Sequence, residues 1–223
     1  MSPQSLAYST SQKLLSEFLG TAVLLATVIG SGIMGDSLAA GNSAVALLAN
    51  SLATGAILVV LILKFGGISG AHFNPAVTLA LLLRRDIGLQ LALLFIAAQV
   101  AGGLVGMMTA HAMFDQDIIQ TSVKLRTGAP QWLSEVIATF GLVSTILLVL
   151  KSKPEAVALS VGLYISAAYW FTASTSFANP AVTIARSFTN TFSGISPDHV
   201  SAFIAAQIVG AVMAVLVAKK LDA

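Results

Sequence analysis

A helix-start signal occurs twice inside this very apolar chain. The five residues NPAVT stand at 74–78 and again at 179–183. Asn is a favoured N-cap residue, and Pro tolerates the first position of a helix. Both copies lie between hydrophobic segments, so each predicts a short helix that begins within the apolar part of the fold. The two NPA triplets comprise Asn74, Pro75, Ala76, Asn179, Pro180 and Ala181.

The composition indicates an integral membrane protein. The chain is 57% hydrophobic and 9% charged, whereas a soluble domain carries about 25% charged residues. The net charge of +2 is too small and dispersed to indicate a nucleic-acid partner. The absence of Cys excludes disulfides, thiolate metal sites and thiol nucleophiles. We therefore expect the lipid bilayer as the surroundings of this chain.

Six segments are apolar enough to span a bilayer, which takes about 20 helical residues. The predicted spans lie near 13–34, 42–64, 88–111, 132–151, 156–172 and 198–219, and the fifth is short. The first segment could instead be a signal peptide with a cleavage site at 37–39. Its length and Glu17, which is matched later in the chain, favour a span.

The two halves of the chain resemble each other. LLSEFLGT (14–21) matches WLSEVIAT (132–139), and AVAL opens both the second and the fifth span. AAQVAGGLVG (97–106) matches AAQIVGAVMA (205–214), and the NPAVT copies lie between these pairs. The order predicts one domain over 1–223, built from repeats at about 13–111 and 132–219 with a joining loop at about 112–131.

Three spans per repeat make the second repeat enter the membrane the opposite way up, as in the inverted repeats of transport proteins. The positive-inside rule then predicts that both termini are cytoplasmic and that the loop 112–131 is extracellular. Eight basic residues fall on the cytoplasmic side and three on the other, namely Lys124, Arg126 and Arg186.

The helix after Asn74 is too short to cross a membrane. Eight or nine residues precede Arg84-Arg85-Asp86, which is roughly 12–14 Å at 1.5 Å per residue. Such a helix must dip in and return, and its flanking backbone must line protein or a wet cavity. We expect GGISGAH (66–72) and STSFA (174–178) to be extended segments before the two half-helices.

Inverted symmetry brings the two half-helix N-termini together, each with roughly half a positive charge from its dipole. Asn74 and Asn179 cap these helices and keep an amide N–H for a passing solute. A cation meets two positive ends, so the pattern predicts a passive pore for small neutral solutes. The predicted pore-facing carbonyls belong to Gly70, Ala71, His72, Thr175 and Phe177.

These features resemble the aquaporins, or major intrinsic proteins, across nearly the whole chain. The paired NPA motifs, HFNPAVT and the matched SE…T openings carry the resemblance. It implies an all-α membrane protein: an aquaporin-like right-handed bundle of six transmembrane helices plus two re-entrant half-helices. It also implies one pore per subunit, a homotetramer and no cofactor.

In most members of that family an Arg follows the second NPA and forms the outer constriction with three other residues. Here that position holds Val182. The resemblance places the other three at Thr54, Ser176 and Ala167, with Ala168 or Tyr169 as alternatives to Ala167. This filter lacks the fixed guanidinium that narrows the pore, so we expect it to be wider and less polar.

The chain is most similar to bacterial aquaporin-like channels with Val at this position, some of which accompany arsenic-resistance genes. The resemblance implies passage of water, glycerol and trivalent metalloid hydroxides or arsenicals, in a bacterial inner membrane.

Arg186 complicates this expectation. It lies four residues after Val182 on the same helix face, and helical side chains lean toward the N-terminus. Arg186 is therefore a candidate filter cation, which would leave a strict water channel. The alternative is a charge that snorkels to the outer interface.

Glu17 and Glu135 lie within spans, where a charge costs about 2.5–3.5 kcal/mol on insertion scales. Their matched positions predict that each accepts hydrogen bonds from the re-entrant loop of its own repeat. The rival hypothesis is a carboxylate that couples protons to solute in a secondary transporter.

The remaining polar residues indicate neither a metal site nor an enzyme. The three His, at 72, 111 and 199, are far apart in sequence and lie near no cluster of carboxylates. No Ser-His-Asp or phosphate-binding pattern is present. A third hypothesis, a membrane scaffold with a vestigial pore, is disfavoured by the two preserved asparagines.

Mercurials should not block this protein through a thiol, because the chain has no Cys. The measurement is water flux in proteoliposomes with and without mercuric chloride. Inhibition that added thiol reverses would contradict this expectation.

Overall fold

A computed structural model describes residues 8–221, which fold into eight α-helices without a β-strand in that range. The first repeat contains α1 (Thr10–Leu38), α2 (Ser43–Ser69), α3 (Pro75–Arg84) and α4 (Leu89–Met113). The second contains α5 (Ala129–Ser152), α6 (Val157–Phe171), α7 (Pro180–Arg186) and α8 (Pro197–Leu221), with a 3₁₀ turn at Pro154–Ala156.

Five helices are long and apolar enough to cross a membrane: α1, α2, α4, α5 and α8, with 24 to 29 residues each. The remaining predicted span, α6, has only 15 residues, or roughly 22 Å at 1.5 Å per residue. The 3₁₀ turn at its start lengthens this segment by three residues. The fifth predicted span, which was expected to be short, therefore corresponds to the shortest of the six spanning helices.

The prediction of an extended segment from residue 66 was wrong. Helix α2 continues through Gly66 and Gly67 to Ser69. It ends at Gly70, whose φ of 92° is left-handed, the usual conformation of a glycine that stops a helix. Only residues 70–73 lie between the end of α2 and the Asn74 cap, so the re-entrant segment is shorter than expected.

The short helices also differ from each other. Helix α3 has ten residues, slightly more than predicted, and α7 has seven. At 1.5 Å per residue these are roughly 15 and 10 Å long. Neither can cross a ~30 Å hydrocarbon core, so both are half-helices by length.

Glycines allow the long helices to cross closely within each repeat. A Cβ on Gly106 of α4 would overlap the carbonyl oxygen of Ala22 in α1, and one on Gly210 of α8 would overlap the carbonyl oxygen of Val136 in α5. Small residues at such crossings are typical of membrane helices. The match of Gly210 in the first repeat is Gly102, whose Cβ would overlap the carbonyl oxygen of Phe18, so both helix pairs pack in the same way.

The outward faces of the helices are apolar. Large hydrophobic side chains are exposed on every long helix, including Leu15, Leu63, Leu93, Leu133, Leu163 and Leu216. A continuous apolar exterior of this kind is typical of a surface that contacts lipid. The chain is therefore organised as a multi-pass membrane protein.

Replacing Gly106 with Ala should destabilise the fold, because the new methyl group overlaps the backbone of α1. The expected loss is roughly 1–3 kcal/mol, seen as a lower melting temperature in detergent. Gly66→Ala is the matched control, because no atom lies within 4 Å of a Cβ there. Equal losses in the two variants would contradict the packing argument.

Candidate functional site

The two asparagines of the repeated motif cap the two half-helices. Asn74 Oδ1 accepts the backbone N–H of Ala76 at 2.8 Å. Asn179 Oδ1 accepts those of Ala181 at 2.9 Å and Val182 at 3.3 Å. Pro occupies the first position of both helices. The sequence signal therefore forms the predicted cap geometry in both repeats.

Each asparagine also holds the loop of the other repeat. Asn74 Nδ2 donates to the carbonyl of Ala178 at 2.7 Å, and Asn179 Nδ2 donates to the carbonyl of Phe73 at 2.9 Å. This reciprocal pair of hydrogen bonds joins the two half-helix N-termini at the centre of the molecule. An amide nitrogen has two N–H groups, so one remains on each asparagine.

The loops before the two caps follow the same unusual backbone path. Ala71 and Ser176 have φ of 52° and 49°, and Phe73 and Ala178 have φ of 48° and 47°. Residues other than Gly rarely adopt this left-handed conformation, and each instance costs of order 1–3 kcal/mol. Such loops persist only when surrounding groups hold them.

Glu17 holds the first loop. Its carboxylate accepts the backbone N–H of His72 at 3.0 Å and of Phe73 at 2.7 Å. The Ser69 hydroxyl donates to it at 2.6 Å and Gln99 Nε2 at 2.8 Å. All four contacts come from N–H or O–H donors, so the loop and its neighbours satisfy the buried Glu17 side chain.

Glu135 does the same in the second repeat. Its carboxylate accepts the N–H groups of Phe177 and Ala178, both at 2.9 Å, and Gln207 Nε2 at 2.6 Å. Gln207 also donates to Thr183 at 2.8 Å. Neither carboxylate lines the cavity described next. This geometry favours the predicted loop-supporting role over proton coupling.

A cavity of about 60 Å³ passes both asparagines and is lined by both apolar and polar groups. Aliphatic side chains form one part, including Leu24, Val28, Leu58, Leu142, Ile146 and Ile165. Backbone and polar groups form the other, contributed by Ala71, His72, Phe73, Asn74, Ser176, Phe177 and Asn179. A small neutral molecule therefore finds both hydrogen-bonding groups and apolar contacts in this cavity.

Four of the predicted filter residues meet at one end of this cavity, which we call the α7 end. Thr54, Tyr169, Ser176 and Val182 all line it. The Thr54 and Tyr169 hydroxyls lie 3.3 Å apart. All four are nearly fully buried, so they can contact only what enters the cavity.

Ala167 does not join this group, and its assignment to the pathway is corrected. It is exposed on the outer face of α6, whereas Tyr169 is buried. Residues two apart on a helix are separated by roughly 200° around the axis, so both cannot face the same cavity. Of the alternatives left open, Tyr169 occupies the place.

Not all of the residues predicted to supply pore carbonyls line the cavity. Ala71, His72 and Phe177 line the cavity. Gly70 lines a second, wider cavity of about 630 Å³ at the opposite, α3 end, together with Ala71 and His72. Thr175 lines neither cavity, and its hydroxyl lies 3.5 Å from Arg126 Nη1.

Arg186 is buried rather than at a surface, so the snorkelling alternative is wrong. Only 2% of its surface is exposed, and it lines the cavity at the α7 end. Its Nε donates to the carbonyl of Ser193. Its guanidinium carbon lies 3.5 Å from the centre of the Phe177 ring. The cation is therefore held beside the pathway.

Sequence reasoning missed Arg126. This residue of the joining loop is 8% exposed, and its Nε and Nη1 donate to the carbonyls of Gly194 at 2.9 Å and Ser174 at 3.0 Å. The loop has no counterpart in the other repeat, so the internal repeat carried no signal for it. Through these hydrogen bonds, Arg126 attaches the joining loop to the α7 end.

Histidines and carboxylates do not form a metal site among residues 8–221. His111 is fully buried and its ring nitrogens lie 2.9 Å from the carbonyl of Ile118 and 2.7 Å from the Thr189 hydroxyl. His72 Nδ1 pairs with Thr78 Oγ1 at 3.0 Å. These rings are engaged in local structural contacts.

Comparison with known proteins agrees with this architecture. The chain is 54% identical over 207 residues to "Aquaglyceroporin AqpS" of Rhizobium meliloti (strain 1021), covering 93% of this chain and 88% of that protein. It is 44% identical over 98 residues to "Glycerol uptake facilitator protein-like 6" of Lactiplantibacillus plantarum, covering 42% of this chain and 40% of that protein.

The fold is also similar to that of a solved structure, the aquaglyceroporin from Plasmodium falciparum. The TM-score is 0.73 at 22% identity, covering 93% of this chain and 95% of the other. This similarity confirms the predicted aquaporin-like fold. The family model described as "Major intrinsic protein" matches residues 4–156. The chain therefore belongs to the major intrinsic protein family and is a membrane channel, not an enzyme.

Proposed function

We propose that this channel conducts water together with larger neutral solutes, with glycerol and trivalent metalloid hydroxides or arsenicals as the candidates. The observation that carries the proposal is Val182 in the cavity wall, directly after the second NPA triplet. A valine neither narrows the passage as a guanidinium would nor supplies directed donors. The 54% identity to a protein named aquaglyceroporin supports the same conclusion.

Thr54, Tyr169, Ser176 and Val182 form the selectivity filter in this proposal. The hydroxyls of Thr54, Tyr169 and Ser176 offer hydrogen bonds, and Val182 offers apolar contact. A polyol or a metalloid trihydroxide presents several hydroxyls around a compact body. A solute of that kind suits a wall that mixes donors, acceptors and apolar surface.

The region around the two central asparagines excludes cations from the pathway. Two half-helix N-termini meet there, joined by the reciprocal bonds of Asn74 and Asn179. A cation at that point has no carboxylate to pair with, because Glu17 and Glu135 bond the backbone behind the loops. The carrier alternative is disfavoured for the same reason.

The proposal also includes the membrane location of the channel, its orientation and its oligomeric state. The aliphatic exterior supports insertion in a bilayer, and the bacterial relatives support an inner-membrane location. Eight of the eleven Lys and Arg residues belong to the α3 end and the termini, which supports cytoplasmic termini and an extracellular α7 end. Family membership supports a homotetramer with one pore in each subunit.

The first test replaces Val182 with Arg, which should close the filter to larger solutes. Glycerol and arsenite flux in proteoliposomes should fall about tenfold while water flux remains within a few-fold of wild type. Stopped-flow light scattering measures all three. Val182→Met is the matched control, because it adds length without a cation and should reduce glycerol flux less.

Two results would contradict the proposal. Wild-type protein that passes water but neither glycerol nor arsenite would exclude the wider filter. If Arg186→Ala then admitted those solutes, Arg186 would be the filter cation of a strict water channel.

A further inference from the structure

Two buried arginines, Arg126 and Arg186, lie close together at the α7 end of the pathway. The guanidinium carbons of Arg186 and Arg126 lie 3.5 and 5.0 Å from the centre of the same Phe177 ring. Both side chains are more than nine-tenths buried. In the described part of the chain, neither has a carboxylate within ion-pair distance. Buried cations without a counter-charge are costly.

The two arginines differ in how their donors are used. Arg126 donates from Nε and Nη1 to the carbonyls of Gly194 and Ser174. Arg186 donates from Nε to Ser193, but its buried Nη1 has no partner among residues 8–221. Arg186 also lines the cavity, whereas Arg126 does not. The unsatisfied donor is therefore the one beside the pathway.

A second unsatisfied group lines the same cavity. The Ser176 hydroxyl oxygen is buried and has no partner in the described residues, and the residue is only 3% exposed. A hydroxyl can donate one hydrogen bond to an acceptor. Arg186 and Ser176 thus line the same small cavity, and each has a buried donor without a partner among residues 8–221.

Lys124 adds to the positive field from the joining loop. Its Nζ donates to the carbonyl of Phe192 at 2.6 Å. Burial, followed by the charges of Arg126 and Arg186, lowers the pKa of Lys124 to about 8, with Asp36 acting in the opposite direction. The buried carboxylate of Glu135 accepts hydrogen bonds from backbone N–H groups.

We propose that the α7 end holds a binding site for a small monovalent anion of carboxylate type, with Arg186 Nη1 and the Ser176 hydroxyl as its donors. Charge-assisted hydrogen bonds from these groups would satisfy both orphan atoms. The bound anion supplies the counter-charge that the two arginines lack. The inference rests on the proposed function, since the site occupies one end of the same pathway.

The bound anion blocks the pathway rather than crossing it. Beyond the site the cavity wall includes the aliphatic side chains of Leu142, Ile146 and Ile165. A charged group pays a large desolvation penalty against such a wall. An anion held at Arg186 therefore stands in the way of neutral solutes, and small carboxylates act as inhibitors.

Water flux in proteoliposomes tests this inference with formate as the probe. Formate at about 50 mM on both sides, a concentration suited to millimolar affinity, should lower wild-type flux at least about twofold relative to gluconate. Gluconate has the same charge but is too large to enter. Formamide, which matches formate in size without the charge, should have no such effect.

The variants separate the site from a general salt effect. Arg186→Gln should abolish formate inhibition, Arg186→Lys should retain part of it, and Ser176→Ala should raise the half-inhibitory concentration about fivefold. Arg85→Gln is the matched control, because Arg85 is exposed at the other end of the fold, and should behave like wild type. Each variant is compared with its own flux in gluconate, so altered basal flux does not affect the result.

Three outcomes would overturn the inference: no formate effect on wild type, equal inhibition in Arg186→Gln, or equal inhibition by formamide. Glycerol flux in the same vesicles tests the proposed function separately. Formate-sensitive water flux without glycerol flux would keep the anion site and reject the solute range. Glycerol flux that formate leaves unchanged would keep the proposed solute range and reject the anion site.

Discussion

The structure depends on one reciprocal interaction, in which each central asparagine caps its own helix and donates to the loop of the opposite repeat. Asn74 reaches the carbonyl of Ala178, and Asn179 reaches that of Phe73. The two bonds join half-helices that begin 105 residues apart in sequence. Because the same amides line the cavity, the bonds that close the fold also shape the narrow part of the pathway.

This arrangement requires backbone that would not persist alone. Left-handed residues such as Ala71 and Ser176 shape the loops before the two caps at a cost in conformational energy. Glu17 and Glu135 offset that cost by accepting the N–H groups of the residues that follow. The glycine crossings bring the helices that carry these carboxylates close to their neighbours. The two buried acidic side chains are thus part of the loop structure.

Much of this could be predicted from the sequence, because the internal repeat contains it twice. The caps, the half-helices and the paired carboxylates each appear at matched positions, and each forms matched hydrogen bonds. Details that the repeat does not duplicate were harder to predict. The rotation of α6, which places Tyr169 rather than Ala167 in the cavity, depends on packing against α2.

Arg126 and Arg186 show the same limit. Arg126 lies in the unrepeated loop, and Leu81 stands where the first repeat would match Arg186. Their burial comes from carbonyls and an aromatic ring contributed by distant segments. The continuation of α2 to Ser69 was missed because Gly66 and Gly67 suggest a loop, although a helix tolerates them at roughly 1 kcal/mol each.

The central claim is that two joined helix N-termini pass neutral molecules and reject cations. The most direct test measures water and proton flux on the same proteoliposomes, with light scattering for volume and an entrapped pH dye for protons. We predict water flux well above that of empty lipid, with proton flux at the empty-lipid level. Proton flux that rises in parallel with water flux as more protein is reconstituted would contradict it.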